Sequence, residues 1–231
     1  MIKQSKAQIL LADNRMQTDI PGIRSWHTLT TNENSTSKSV GDLYLFNEHW
    51  LAPAHQMILK VNAAETLLLL PVSGAIEYTD LFNNTTLLAA GQCLQMSATQ
   101  PNSICIKNPF ADTVVSFIQL RLSATTAPFF NVQTYNDVNA YINTLVAVAP
   151  PQGDNHFFIA KFNGRAETVH TPTKENTGTF LFVLVGAFEA EGRLLHAGDA
   201  LALYQTDCIE MEALSNDAII LLIETPLHNA D

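Results

Sequence analysis

Charge is scarce in this 231-residue chain and leans one way: 15% of residues are charged, 22 acidic against 12 basic, for a formal net charge of -10. Such a surface repels a phosphate backbone or an anionic bilayer, so neither nucleic acid nor membrane is an expected partner. Long apolar runs are missing too. No stretch approaches the roughly 20 residues that a bilayer-spanning helix needs, and MIKQSKAQILLADN has no apolar segment leading to a small-residue cleavage site, which makes a cytoplasmic location the expectation. Cysteine is sparse: Cys93, Cys105 and Cys208 form an odd set without a C-x-x-C spacing. This argues against a disulfide framework and against a thiolate zinc site, and all three are expected to be buried small hydrophobes. The seven histidines are scattered without an H-x-H or H-E-x-x-H spacing. A nucleophile elbow and a phosphate-cradling glycine loop are also lacking.

What the chain has is a succession of short β-branched or Leu-rich runs between Gly, Pro, Asn and Asp turns, including ETLLLLPVS, TVVSFIQLRL, HFFIAKF, TFLFVLV and AIILLIE. That pattern is the signature of an all-β sandwich or barrel. The polar stretch TTNENSTSKS after Leu29 has nothing apolar to bury and is expected to be the most mobile part. NDVNAYINTLVAV is the one candidate helix, with Asn and Asp available to cap it, although its β-branched content fits a linker better.

The chain also repeats itself. LLLLPVSGAIEY followed by LLAAGQCLQM in the first half matches FLFVLVGAFEA followed by LLHAGDALAL in the second, so Gly74 and Gly186 hold equivalent turns, as do Gly91 and Gly198. Two copies of one small barrel are implied. The expected division is residues 1–125 for the N-terminal barrel and 126–231 for a linker and the C-terminal barrel, with strands over about 20–125 and 140–228 and the connection around Pro128 to Ile142.

PGIRSWHTL, the LAP phrase at Leu51 to Pro53, SGAIEYTD, AAGQCLQMSA and FIQLRL resemble the pirin family of cupin proteins, and GTFLFVLVGAFEAEGRLLHAGDAL resembles that family's C-terminal cupin. The resemblance covers nearly the whole chain. It implies an all-β bicupin, two antiparallel jelly-roll β-barrels in one chain. Family members typically hold iron or a similar divalent metal in the N-terminal barrel through three His and one Glu, and some oxidise the flavonol quercetin with dioxygen.

Carried over by counting from LAP to Gly74 and from Gly91 through the Met-Ser-Ala triplet, the family's ligands fall on Lys60, Asn62, Ile104 and Ile106. An ammonium, an amide and two alkyl side chains cannot replace imidazoles and a carboxylate. No metal and no other cofactor is therefore expected. The counterparts in the second half are Pro172, Lys174, Met211 and Ala213, equally unsuited. His170, His196, Glu210 and Glu212 lie nearby and are expected to be ordinary surface residues. His27 is expected to be structural, and His55 an exposed loop histidine that could reach the pocket mouth.

These readings favour a non-enzymatic small-molecule-binding or interaction protein, an expected monomer, that uses the emptied N-terminal pocket or its rim. The alternative is a cupin oxidoreductase, a quercetinase-type dioxygenase or another enzyme, with a metal site not yet identified. Ile104 and Ile106 share a strand face that should point inward opposite Lys60 and Asn62, so the expected ligand is a small, partly apolar anion with its acidic end at Lys60. Lys60 itself needs an acceptor, Glu65 being one candidate.

Overall fold

In a computed structural model, residues 6–30, 39–123 and 127–228 are described; most of the TTNENSTSKS stretch lies outside them. The described residues form 21 strands and one short 3-10 turn, with no α-helix among them. They fall into two compact units: one drawn from Met16–Ser39 and Leu43–Tyr135, the other from Met1–Arg15, Val40–Asp42 and Asn136–Asp231.

In the N-terminal unit a seven-stranded antiparallel sheet runs in the order Phe129–Thr134, Gln92–Ser97, Glu65–Ser73, Val115–Ser123, Leu43–Leu51, Ile23–Leu29, Met16–Ile20. A four-stranded sheet, Gln56–Val61, Asn102–Lys107, Ala75–Thr79, Thr85–Ala89, completes the barrel. Alternation explains the core: Leu67 and Leu69, Val115 and Phe117 from the larger sheet meet Leu59 and Val61, Ile76 and Tyr78, Ile104 and Ile106 from the smaller.

The C-terminal unit repeats the plan with a six-stranded sheet, Lys6–Leu10, Ala200–Tyr204, Thr177–Val185, Ala218–Pro226, His156–Phe162, Val146–Ala147, and a four-stranded sheet, Glu167–His170, Ile209–Ala213, Ala187–Ala190, Arg193–His196. Its core gathers Leu181, Val183, Phe188, Met211, Ile220 and Leu222 among others. The repeat read in the sequence is real in three dimensions. Gly74 and Gly186 both have positive φ, +74° and +80°, and a Cβ on Gly186 would lie 2.2 Å from Ser215 Oγ.

The division differs from the expected one at both ends. Lys6–Leu10 is an edge strand of the C-terminal sheet, Leu10 opposite Ala200 and Lys6 opposite Tyr204. Asp199 Oδ1 secures the turn that follows by accepting from the Ala12 N–H at 2.7 Å. Phe129–Thr134, placed in the linker by sequence, is a strand of the N-terminal sheet paired with Gln92–Ser97. The candidate helix is a series of turns instead: Asp137 Oδ1 accepts from the Asn139 backbone and side-chain N–H groups, both at 2.9 Å, and Val146–Ala147 joins the sheet. An Asp that bonds its own neighbours offers the backbone an alternative to helix, and tertiary pairing takes the rest.

Candidate functional site in the N-terminal barrel

Gln56–Val61 and Asn102–Lys107 pair antiparallel, with Ile104 opposite Leu59, Ile106 opposite Met57 and Ser103 opposite Lys60. Directly paired residues share a sheet face. Ile104 and Ile106 are fully buried in the barrel, as expected. Their companions are Leu59 and Val61, while Lys60 and Asn62 are exposed. The count from LAP was off by one residue, and one residue is enough to move a side chain to the other face. Lys60 does not reach Glu65 either, which is held by Arg121.

Whether these faces suit the family's metal is settled by their chemistry. Leu59, Val61, Ile104 and Ile106 offer no lone pair. The residues do not fit a metal. Nor does any group of three or more His, Cys, Asp or Glu suited to a metal occur among the described residues.

Above Ile104 lies a cavity of about 370 Å³, bounded by Tyr78, Met96, Asn102 and Phe130, with Leu81 and Phe82 at its rim. The Tyr78 and Phe130 rings are tilted at 45° with centroids 5.4 Å apart. The Tyr78 hydroxyl donates to Met96 Sδ at 3.7 Å, and burial, then the Asp80 carboxylate, pushes its pKa up to about 12. Asn102 Oδ1 is buried without a hydrogen-bond partner. At the rim, Asp80 accepts from Phe82 N at 2.8 Å, Asn84 N at 2.9 Å and Asn84 Nδ2 at 2.8 Å. The Asn84 amide, with these backbone donors, holds its pKa below the usual carboxylate range. The locked turn presents Leu81 and Phe82 to solvent, at 60% and 84% exposure.

On the inner face of the seven-stranded sheet runs a polar chain that sequence reading missed. Ser25 Oγ lies 2.7 Å from His49 Nδ1, and His49 Nε2 lies 2.9 Å from the Gln119 amide. With that amide turned so that its nitrogen faces His49, its oxygen accepts from Arg121 Nε at 2.8 Å and Nη2 at 3.0 Å. The imidazole proton then sits on Nδ1 and is donated to Ser25. Arg121 pairs with Glu65 at 2.9 Å. Glu65 also accepts from the Tyr44 hydroxyl and from Asn62 N and Nδ2 at 2.7 and 3.0 Å. Burial above all pushes His49 down to about 4. It also pushes Tyr44 upward, with the Glu65 hydrogen bond adding to the shift. The legible signal was Gln119 and Arg121 continuing the inward parity of Phe117 in FIQLRL.

The remaining candidates divide. His27 is held between Thr18 Oγ1 at 3.0 Å and Asn47 Oδ1 at 3.1 Å, a structural histidine as expected. His55 packs over Gly22, where a Cβ would lie 1.8 Å from its ring, and its Nδ1 meets the Pro53 carbonyl at 2.9 Å. In the C-terminal barrel Met211 and Ala213 are buried, and Lys174 pairs with Asp154 at 2.5 Å. Pro172 lines a separate loop cavity of about 440 Å³. His196 and Glu210 are exposed, and Glu212 meets Arg165 at 3.0 Å. His170 is not an ordinary surface residue: its Nε2 lies 2.5 Å from Oε1 of the buried Glu224. Despite its burial Glu224 keeps a lowered pKa, because His170 and Thr173 hydrogen-bond to it. The thiols also differ from expectation, since only Cys93 is buried, Cys105 is half-buried and Cys208 exposed.

Residues 152–225 match the family of quercetinase C-terminal cupin domains. YhhW from Escherichia coli superposes with a TM-score of 0.84 at 17% identity, over 96% of this chain and 99% of its own. The chain has the pirin bicupin fold. A second structure of YhhW, described as a bacterial pirin in complex with nickel(II), gives 0.83 at 17% identity over 96% and 100%. A quercetin 2,3-dioxygenase from Acinetobacter baumannii gives 0.77 at 13% identity, over 96% of this pirin-like chain and 80% of that one. No curated protein matches the sequence.

Proposed function

We propose that this pirin-like bicupin is a metal-independent, non-enzymatic protein whose N-terminal barrel binds a small, partly apolar molecule. The observation that carries the reading is the barrel's inner face, where Leu59, Val61, Ile104 and Ile106 stand in place of donors, with Ile104 also lining the cavity. The related structures include a nickel-bound pirin and a quercetin dioxygenase, but activating dioxygen on a metal needs imidazole or carboxylate ligands that these faces do not supply. An apolar lining with aromatic rings and a few polar atoms is instead what small-molecule pockets are built from. The ligand's acidic end at Lys60 drops out, because Lys60 is exposed and, among the described residues, Asp80 is the charged one that lines the cavity. Free thiols at all three cysteines suit the reducing cytoplasm, where this reading places the protein.

The test is a thermal-shift screen of small aromatic and aliphatic compounds, each run with and without EDTA. A molecule that binds only the native state raises the melting temperature. Stabilisation by at least one compound that EDTA leaves unchanged supports the reading, whereas flavonol turnover on adding iron to the purified protein refutes it.

A further inference from the structure

We propose that Asn163 is a self-modification site, converted with Gly164 through a cyclic imide to aspartate or isoaspartate, and that Asn216 holds it unreacted while the C-terminal barrel is folded.

The reactive pair stands alone and in the open. Asn163 and Gly164 form the one Asn-Gly step in the sequence, and an asparagine followed by a residue without Cβ is the least hindered case for ring closure by the next backbone nitrogen. Asn163 is exposed. Its backbone N–H donates to Asn143 Oδ1 at 2.9 Å, and among the described residues no hydrogen bond holds its side-chain amide.

The conversion needs only water. Gly164 N forms a bond to Asn163 Cγ, the Cγ–Nδ2 bond breaks, and ammonia leaves with the proton that Gly164 N gives up. Water then opens the imide at Cγ, leaving aspartate, or at the backbone carbonyl, leaving isoaspartate with an extra methylene in the main chain.

The glycine does not serve the turn's dihedrals. Ala166 N donates to Asn163 O at 3.1 Å, so Gly164 and Arg165 are the central residues, and the positive φ, +66°, belongs to Arg165. What requires a glycine is close approach: a Cβ there would lie 2.8 Å from Asn216 Oδ1 and 3.2 Å from Asn216 N. The same contact is the guard, since the Gly164 N–H donates to Asn216 Oδ1 at 3.0 Å. A nitrogen whose proton is held by that oxygen is not free to lose it or to swing towards Cγ. The far side of the turn is fixed as well, where Arg165 N donates to Ala213 O at 2.7 Å and Ala213 N to Ala166 O at 3.0 Å. Isoaspartate would lengthen the chain between these anchors and shift the strand Glu167–His170 that follows.

Peptide mapping by mass spectrometry of the full chain, aged at mildly alkaline pH both folded and in urea, reads the conversion at Asn163 directly. In urea Asn163 should convert, and in the folded wild type it should do so about tenfold or more slowly, because reaction waits for the turn to open. Asn216→Ala, shown by circular dichroism to be folded, should convert about two- to tenfold faster than the folded wild type, the usual worth of one hydrogen bond. Asn216→Asp keeps an acceptor and should stay near the wild-type rate. In the wild type the Gly164 amide should be protected from hydrogen exchange, a readout that needs no variant to fold. No conversion in urea overturns the site. Equal rates folded and in urea, an Asn216→Ala rate equal to wild type, an Asn216→Asp rate raised as far as that of Asn216→Ala, or an unprotected Gly164 amide overturns the guard.

Discussion

Arg121 Nη1 lies 2.9 Å from Glu65 Oε1 with both side chains buried inside the N-terminal barrel, so each ion's charge is answered by the other rather than by water. Such a pair is costly to break from one side, because the partner left behind remains charged and dry. Arg121→Met should therefore destabilise the N-terminal unit by about 3–5 kcal/mol, and the double variant Arg121→Met, Glu65→Leu should recover a large part of that. Urea unfolding followed by tryptophan fluorescence reads this unit directly, since Trp26 and Trp50, the two tryptophans of the chain, pack together in it with centroids 5.0 Å apart. A double variant no better than the single one would show that the pair itself, and not the orphaned carboxylate, carries the stability.

His49, in the same polar chain, makes stability depend on pH. Its pKa falls from 6.5 to about 4 on folding, through burial first. Between those values the unfolded state binds the proton and the folded state does not, so stability rises with pH across that window. The contribution is complete above about 6.5 and lost as pH falls through 4. It amounts to about 3 kcal/mol at most. Unfolding free energies at pH 7 and pH 4.5 should therefore differ more in the wild type than in His49→Gln, and equal differences would refute the assignment.

The inward register can be tested by building a metal site. Leu59→His, Val61→His, Ile104→His and Ile106→Glu together place the family's donor set on the buried face, and a folded variant should take up about one equivalent of nickel or iron. Lys60→His and Asn62→His combined with the same two isoleucine changes should not, because Lys60 lies on the exposed face of its strand and Asn62, past the strand's end, turns its amide to Glu65. Metal analysis of both proteins, with circular dichroism to confirm strand content, decides between the registers.

Two glycine turns of the C-terminal barrel differ in how tightly they are packed. Gly186→Ala combines positive φ with a Cβ 2.2 Å from Ser215 Oγ and 3.1 Å from Ala218 Cβ, whereas Gly192→Ala has φ +69° and open space. The first should lower the melting temperature clearly more than the second, whose cost is confined to about 1–2 kcal/mol of backbone strain. Equal shifts would mean that Ser215 yields.

What the sequence revealed follows from where alternation is clean. The paired glycines and short strands announced two barrels, and the inward faces of Ile104 and Ile106 were legible because Ser103 and Lys107 flank them with the opposite parity. Gln56–Val61 was not legible in the same way: Ile58 is 59% exposed and Leu59 and Val61 are buried, so apolar residues occupy both faces and period 2 gives no contrast. Lys6–Leu10 pairs with Ala200–Tyr204, a partner at the far end of the chain that local pattern cannot name. His170 and Glu224 are likewise distant in sequence, and only the closure of the C-terminal barrel makes them a pair.

Binding without metal is tested most directly by one calorimetric titration of the most stabilising compound from the thermal-shift screen into the purified chain, repeated after exhaustive dialysis against EDTA and again after adding back iron. The dissociation constant should be the same in all three, because no group of three or more His, Cys, Asp or Glu suited to a metal occurs among the described residues, and Asp80 alone does not hold one in the cavity. Loss of binding after EDTA, restored by iron, would contradict it.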